Sequence, residues 1–236
     1  MPQVTVDSGR GSLPGYLAEP AGQGPAPGVV VIHEIFGLTA EMRGHAERLA
    51  GAGYLALAPD LYSWGPKPRC VAATLLAMSR GHGRALDDLE QARAWLAGHD
   101  RSTGAVGVVG FCMGGGLAFV CAPKGGYGAA AANYGDVPSD AEQTLAGICP
   151  VVASYGSRDR RLRAHPERLR RALEELGVPH DIKTYQGATH GFMNPHPGLM
   201  GKMAGRLMPL EYDPAAADDA WSRIISFFDR YLKQSD

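Results

Sequence analysis

Three residues that could together carry nucleophilic acyl transfer, a cysteine, an aspartate and a histidine, each stand just beyond a short apolar run. The cysteine lies in Gly110-Phe111-Cys112-Met113-Gly114-Gly115, directly after the run 105–109 and directly before a stretch of small residues. This is the G-x-S-x-G pattern with sulfur in place of oxygen. A nucleophile on a very tight strand-to-helix turn is forced into a strained backbone, tolerable only when the residues two positions away lack side chains. Gly110 and Gly114 meet that demand. The turn also sets the sulfur at a helix N-terminus, where unpaired N–H groups and the dipole favour a thiolate and the Met113 N–H can hold a developing oxyanion. Taken alone, a cysteine between glycines is more often a small buried residue than a catalyst, so its companions decide the reading.

Asp159 follows the run CPVVASYG (149–156) within the turn Ser157-Arg158-Asp159, and His190 follows HDIKTY (180–185) within the turn 187–192. Each has a bland alternative: an aspartate suits turns and helix caps, and His190 is one of eight histidines. The order nucleophile, acid, histidine is nevertheless one of the known triad orders, and open parallel sheets place their sites at strand C-terminal ends, where all three residues would lie. A fourth residue, Glu34, ends the run VVVIH (29–33). A carboxylate closing a core strand is costly without a partner, whereas an exposed loop acid would be ordinary. The same loop is placed to supply a second oxyanion N–H, from Ile35.

The elements that must position these residues are legible as an alternation. Apolar runs at 28–33, 54–59, 105–111, 128–134, 149–156 and 180–185 are nearly continuous and carry β-branched residues, as strands covered on both faces should be. Between them lie amphipathic stretches at 41–52, 85–97, 114–122 and 166–176, the pattern of right-handed βαβ crossovers. Residues 3–18 read as an antiparallel hairpin turning near Gly9 and Gly11. The tail 213–232 reads as a closing helix, with Asp213 as N-cap, Pro214 at the first position and Trp221, Ile224, Phe228 and Tyr231 at helical spacing. Residues 193–212, rich in Gly, Pro and Met, are too broken for a helix and read as a cover over the site.

Composition narrows the classes. At 236 residues the chain fits a single α/β domain, 1–236. A net charge of −1 offers no bulk field for nucleic acid or an anionic membrane. The sequence shows neither a signal peptide pattern nor a spanning apolar run, which predicts a cytoplasmic protein, monomeric or a small homo-oligomer. Cys70, Cys112, Cys121 and Cys149 form no CxxC pair, and Gly125-Gly126 lacks nucleotide-site spacing, so free thiols and no cofactor or metal are expected. The arginines around Asp159 (158, 160, 161, 163) read as a solvated face, and Tyr62 and Trp64 as pocket lining or core edge.

The segments HEIFGL (33–38), APDLY (58–62), GFCMGG (110–115), the YG-S-x-D turn (155–159) and ATHGF (188–192) resemble the dienelactone hydrolases, carboxymethylenebutenolidase-like members of the α/β-hydrolase superfamily, over nearly the whole chain. The resemblance implies an α/β-hydrolase fold, a mostly parallel central sheet flanked by helices on both faces. It also implies triad roles for Cys112, Asp159 and His190, and a Glu34 that contacts the resting thiol and helps activate it once substrate displaces the carboxylate. One position departs. Dienelactone-cleaving members have an arginine four residues past the catalytic histidine that clamps the substrate carboxylate; this chain has Asn194. Losing that bidentate partner argues against dienelactone itself as substrate.

The resulting expectation is a cofactor-free hydrolase of a small ester or lactone, with Cys112 as nucleophile, His190 as base, Asp159 orienting it, and the N–H groups of Ile35 and Met113 holding the oxyanion. A thioesterase or acyl transferase would use the same intermediate. A redox-sensing protein would instead have Cys112 oxidised without turnover.

Overall fold

The computed structural model describes residues 3–7, 9, 11–195 and 210–233. Eight strands form one sheet: β1 (Gln3–Asp7), β2 (Ser12–Ala18), β3 (Ala26–Ile32), β4 (Leu55–Pro59), β5 (Ser102–Phe111), β6 (Ala129–Asn133), β7 (Val151–Gly156) and β8 (His180–Tyr185). Their spatial order is β1-β2-β4-β3-β5-β6-β7-β8. The first two strands are antiparallel to their neighbours and every later pairing is parallel. The apolar runs therefore became strands within two or three residues of their expected limits, and 3–18 became the hairpin.

The helices are α1 (Ala40–Gly51), α2 (Lys67–Arg80), α3 (Arg84–Ala97), α4 (Met113–Cys121), α5 (Ala141–Thr144), α6 (His165–Glu175) and α7 (Pro214–Leu232). They cover both faces, and two glycines show how. A methyl group on Gly28 of β3 would meet Leu96 of α3 at 3.2 Å, whereas one on Gly107, paired with Val29, would meet Phe228 of α7 at 3.6 Å. Successive residues of a strand point to opposite faces, so α3 and α7 lie on opposite sides of the sheet. Both faces being dry, β3, β4, β6 and β7 are buried along their whole length.

The closing helix forms as its sequence predicts: Asp213 Oδ1 accepts from the Ala216 N–H at 3.1 Å, and Trp221, Ile224 and Phe228 are buried. Helices α2 and α5 were not foreseen. In α2 the exposed face carries Leu75 and Leu76 while Thr74 is buried, so its hydrophobic pattern points the wrong way; α5 is a single turn. Of the expected cover at 193–212, residues 196–209 lie outside the described residues.

Candidate active site

Cys112 caps α4 with φ 54° and ψ −115°, a conformation that costs an L residue about 1–3 kcal/mol. Its surroundings hold it there. The Cys112 N–H donates to the Asn133 carbonyl at the end of β6 (3.0 Å), and its carbonyl accepts from the Gly116 N–H (3.2 Å). A methyl group on Gly110 would collide with the Gly114 carbonyl, and one on Gly114 would lie 2.8 Å from the His33 carbonyl. The absent side chains thus let the first turn of α4 press against the end of β3. That contact brings the loop 33–37 to the sulfur.

Glu34 is buried, and its Oε1 accepts from Asn194 Nδ2 at 2.8 Å. Burial pushes its carboxyl up to about 8, more than the Asn194 bond lowers it, and the charge of Glu41 adds to the rise. Burial likewise pushes the Cys112 thiol up to about 12, with Glu34 adding to it; the Met113 N–H and Arg161 act in the opposite sense and lose. This corrects the expectation of a helix-stabilised thiolate. One N–H contact is a partial charge, whereas burial strips water from the whole anion. The resting thiol is protonated.

Asp159 lies three residues past β7 and His190 five past β8. His190 Nδ1 donates to Asp159 Oδ2 at 2.6 Å, and both side chains are 2% exposed. The N–H groups of Arg161 (3.2 Å) and Leu162 (3.4 Å) reach Asp159 Oδ1. Burial works to raise the Asp159 carboxyl, but the His190 bond and charge, these turn donors and the Arg161 charge outweigh it and hold it below the usual range. With Nδ1 committed, Nε2 is the nitrogen left to accept a proton. It is buried with no hydrogen-bond partner among the described residues, the Cys112 sulfur included. Tyr134 packs its ring edge-on against His190 at 5.2 Å and follows Asn133, whose carbonyl holds the Cys112 N–H.

Of the two expected oxyanion donors, Met113 lies in the nucleophile turn and Ile35 in the loop 33–37 beyond β3. The Met113 N–H is directed at the sulfur. The Ile35 N–H donates no hydrogen bond within the described residues. Its loop is pinned by His33, whose Nδ1 donates to the Glu34 carbonyl (2.7 Å) while Nε2 accepts from the Leu61 N–H (3.2 Å). An N–H can only donate, so these two bonds fix the His33 tautomer.

The structure thus brings Cys112, Glu34 and Met113 together and joins His190 to Asp159. Tyr62 also belongs here, buried against His33 and donating to Met113 Sδ at 3.4 Å, while Trp64 lies under the guanidinium groups of Arg69 and Arg84. Arg158 and Arg161 are exposed ion-pair partners of Glu211 and Asp136. Sequence reasoning missed His33, His45 and Tyr134. Of these only His45 carried a signal, a histidine on the apolar face of α1 with Met42, Ala46 and Leu49. Among the described residues no His, Cys, Asp and Glu cluster could hold a metal, and no helix is long and apolar enough to cross a membrane.

A mostly parallel sheet of this order with a strained cysteine on the strand-to-helix turn of its central strand has the α/β-hydrolase fold. The dienelactone hydrolase family profile matches residues 13–232. A Synechocystis sp. protein named "Putative carboxymethylenebutenolidase" is 31% identical over 98% of this chain and 96% of its own, and a Yersinia pestis protein of the same name is 29% identical over 97% and 88%. The crystal structure titled "Putative Dienelactone Hydrolase" from Klebsiella pneumoniae superposes with a TM-score of 0.81 at 26% identity, covering 98% of both chains. The chain belongs to the dienelactone hydrolase family and is a carboxylic ester hydrolase.

Proposed function

We propose that the chain, acting as a single domain, hydrolyses a small ester or lactone through a thioester on Cys112. The observation that carries this is the buried Asp159–His190 bond, which leaves His190 Nε2 without a hydrogen-bond partner among the described residues, together with a cysteine held in a nucleophile turn. Substrate entering against the loop 33–37 moves the Glu34 carboxyl aside, where it releases its proton to solvent and is held as an anion by water or substrate dipoles. The thiol proton then passes to His190 Nε2, directly or by way of that carboxylate, and the sulfur attacks the carbonyl carbon. The oxyanion is held by the Met113 and Ile35 N–H groups. Imidazolium at His190 protonates the departing alkoxide, the same nitrogen then takes a proton from water, and hydroxide attack on the thioester returns the acid and the Cys112 thiol.

Asn194 at the clamp position is uncharged and engaged with Glu34 and His45, which supports an ester lacking the carboxylate of dienelactone. A thiol held protonated is poorly suited to sensing oxidants, since the thiolate is the reactive form. The near-zero charge supports a small neutral substrate and no nucleic-acid partner. Turnover of a small chromogenic ester tests the proposal. Cys112→Ala should abolish it while folding is retained; a folded variant with undiminished turnover would overturn the assignment.

A further inference from the structure

Glu34 is one end of a buried chain of polar side chains. Asn194 Nδ2 donates to Glu34 Oε1 (2.8 Å) and, at 3.3 Å, to Tyr134 Oη, while Asn194 Oδ1 pairs with His45 Nε2 at 2.6 Å. All four residues are buried. Toward an ionised Glu34 and a His45 whose Nε2 carries the N–H, the amide has one orientation, because a flip would set its oxygen against the carboxylate and its NH₂ against the imidazole N–H.

His45 decides that orientation. Its ring stacks on Phe111 (centroids 4.3 Å apart, 21°) and tilts against Trp221 (5.1 Å), which fixes the ring plane. Burial outweighs the Asn194 bond and, with the Arg48 charge, pulls the imidazole down to about 4, so it is neutral at physiological pH and carries a single N–H. That N–H is the one aimed at Asn194.

We propose that His45 and Asn194 are positioning residues: His45 locks the Asn194 amide with its N–H side toward Glu34, and that fixed donor sets both the direction and the proton affinity of the Glu34 carboxyl. Glu41 of α1, Cys112 in the α4 turn, Tyr134 at the end of β6 and Asn194 past His190 act on Glu34, with His45 of α1 one step behind, on the Asn194 amide. On its own loop His33 donates to the Glu34 carbonyl, and Lys67 of α2 donates to the Phe36 carbonyl (2.8 Å). The named side-chain hydrogen-bond donor that favours the Glu34 anion is the Asn194 amide.

The consequence for catalysis rests on the hydrolase reading; the geometry does not. The buried carboxylic acid gives an infrared band assignable by its absence in Glu34→Gln, and its pH titration reads Glu34 directly. Wild type should titrate near 8. His45→Phe keeps the stacked ring but loses the donor. It should weaken Glu34 proton release about tenfold, the effect of losing a hydrogen bond to a charged group. His45→Gln, which restores an N–H, should titrate near wild type, and in an Asn194→Leu background His45→Phe should add nothing. If His45→Phe does not fold, Asn194→Leu must raise the midpoint and His45→Gln must leave it. An unmoved midpoint in folded His45→Phe, or an equal shift in both backgrounds, overturns the relay. Ester turnover is scored separately: loss of the Cys112 assignment leaves the band shift standing, and an unmoved band with Cys112-dependent turnover removes the relay alone.

Discussion

Glu34 is held where its charged form is expensive, and that cost reaches the stability of the protein. Its folded-state affinity for a proton, near 8 against an ordinary value of 4.5, means that between those values the folded chain binds more protons at this site than the unfolded chain. Stability from this group is therefore complete below the lower value and falls as pH rises through the upper one. Glu34→Gln removes the dependence, so its melting temperature should exceed that of wild type by a margin that widens from pH 5 to pH 9. The same variant should slow single-turnover acylation by roughly 10²-fold. A margin that does not change with pH would mean the carboxyl is better solvated than its burial indicates. At this scale the sequence pointed to Cys112, Asp159, His190 and Glu34 because each follows closely on an apolar run. It could not show how Asn194 and His45 hold Glu34, since their contacts span 160 and 149 residues of chain. A resting thiol came only with the family resemblance, and the burial that keeps it protonated is a property of the packed molecule.

The turn joining β5 to α4 turns one strained residue into a site. It needs glycine at 114 for a reason separate from conformational freedom, which is the approach of α4 to the end of β3. Gly114→Ala should cost about 1–3 kcal/mol, as overpacking does, and should also displace the Met113 N–H and the loop 33–37. Chromogenic ester turnover should fall well beyond what the change in melting temperature accounts for; loss of stability with turnover per folded molecule unchanged would show that the close approach is not what shapes the site. Elements whose burial agrees with their pattern were legible: β3 and β6 as continuous apolar runs, α7 by its cap and its aromatic spacing. Helix α2 was not. It exposes Leu75 at 38% and Leu76 at 46% while burying Cys70 and Thr74, so a reader who follows the leucines places the buried face wrongly.

Across the whole molecule, the sheet order sets β3, β5, β6, β7 and β8 side by side and parallel, with their C-terminal ends on one edge. Loops distant in sequence are gathered there: Glu34 beyond β3, Cys112 beyond β5, Tyr134 beyond β6, Asp159 beyond β7 and His190 beyond β8. The central claim is that this edge carries out acyl transfer through sulfur. Acid-quenching the protein a few milliseconds after mixing with an activated ester, followed by peptide mass mapping, tests it most directly. The acyl mass should sit on the peptide containing Cys112, be released by hydroxylamine, and form and decay fast enough to account for turnover. Turnover at a comparable rate with the acyl group on another residue, or on none, would contradict it.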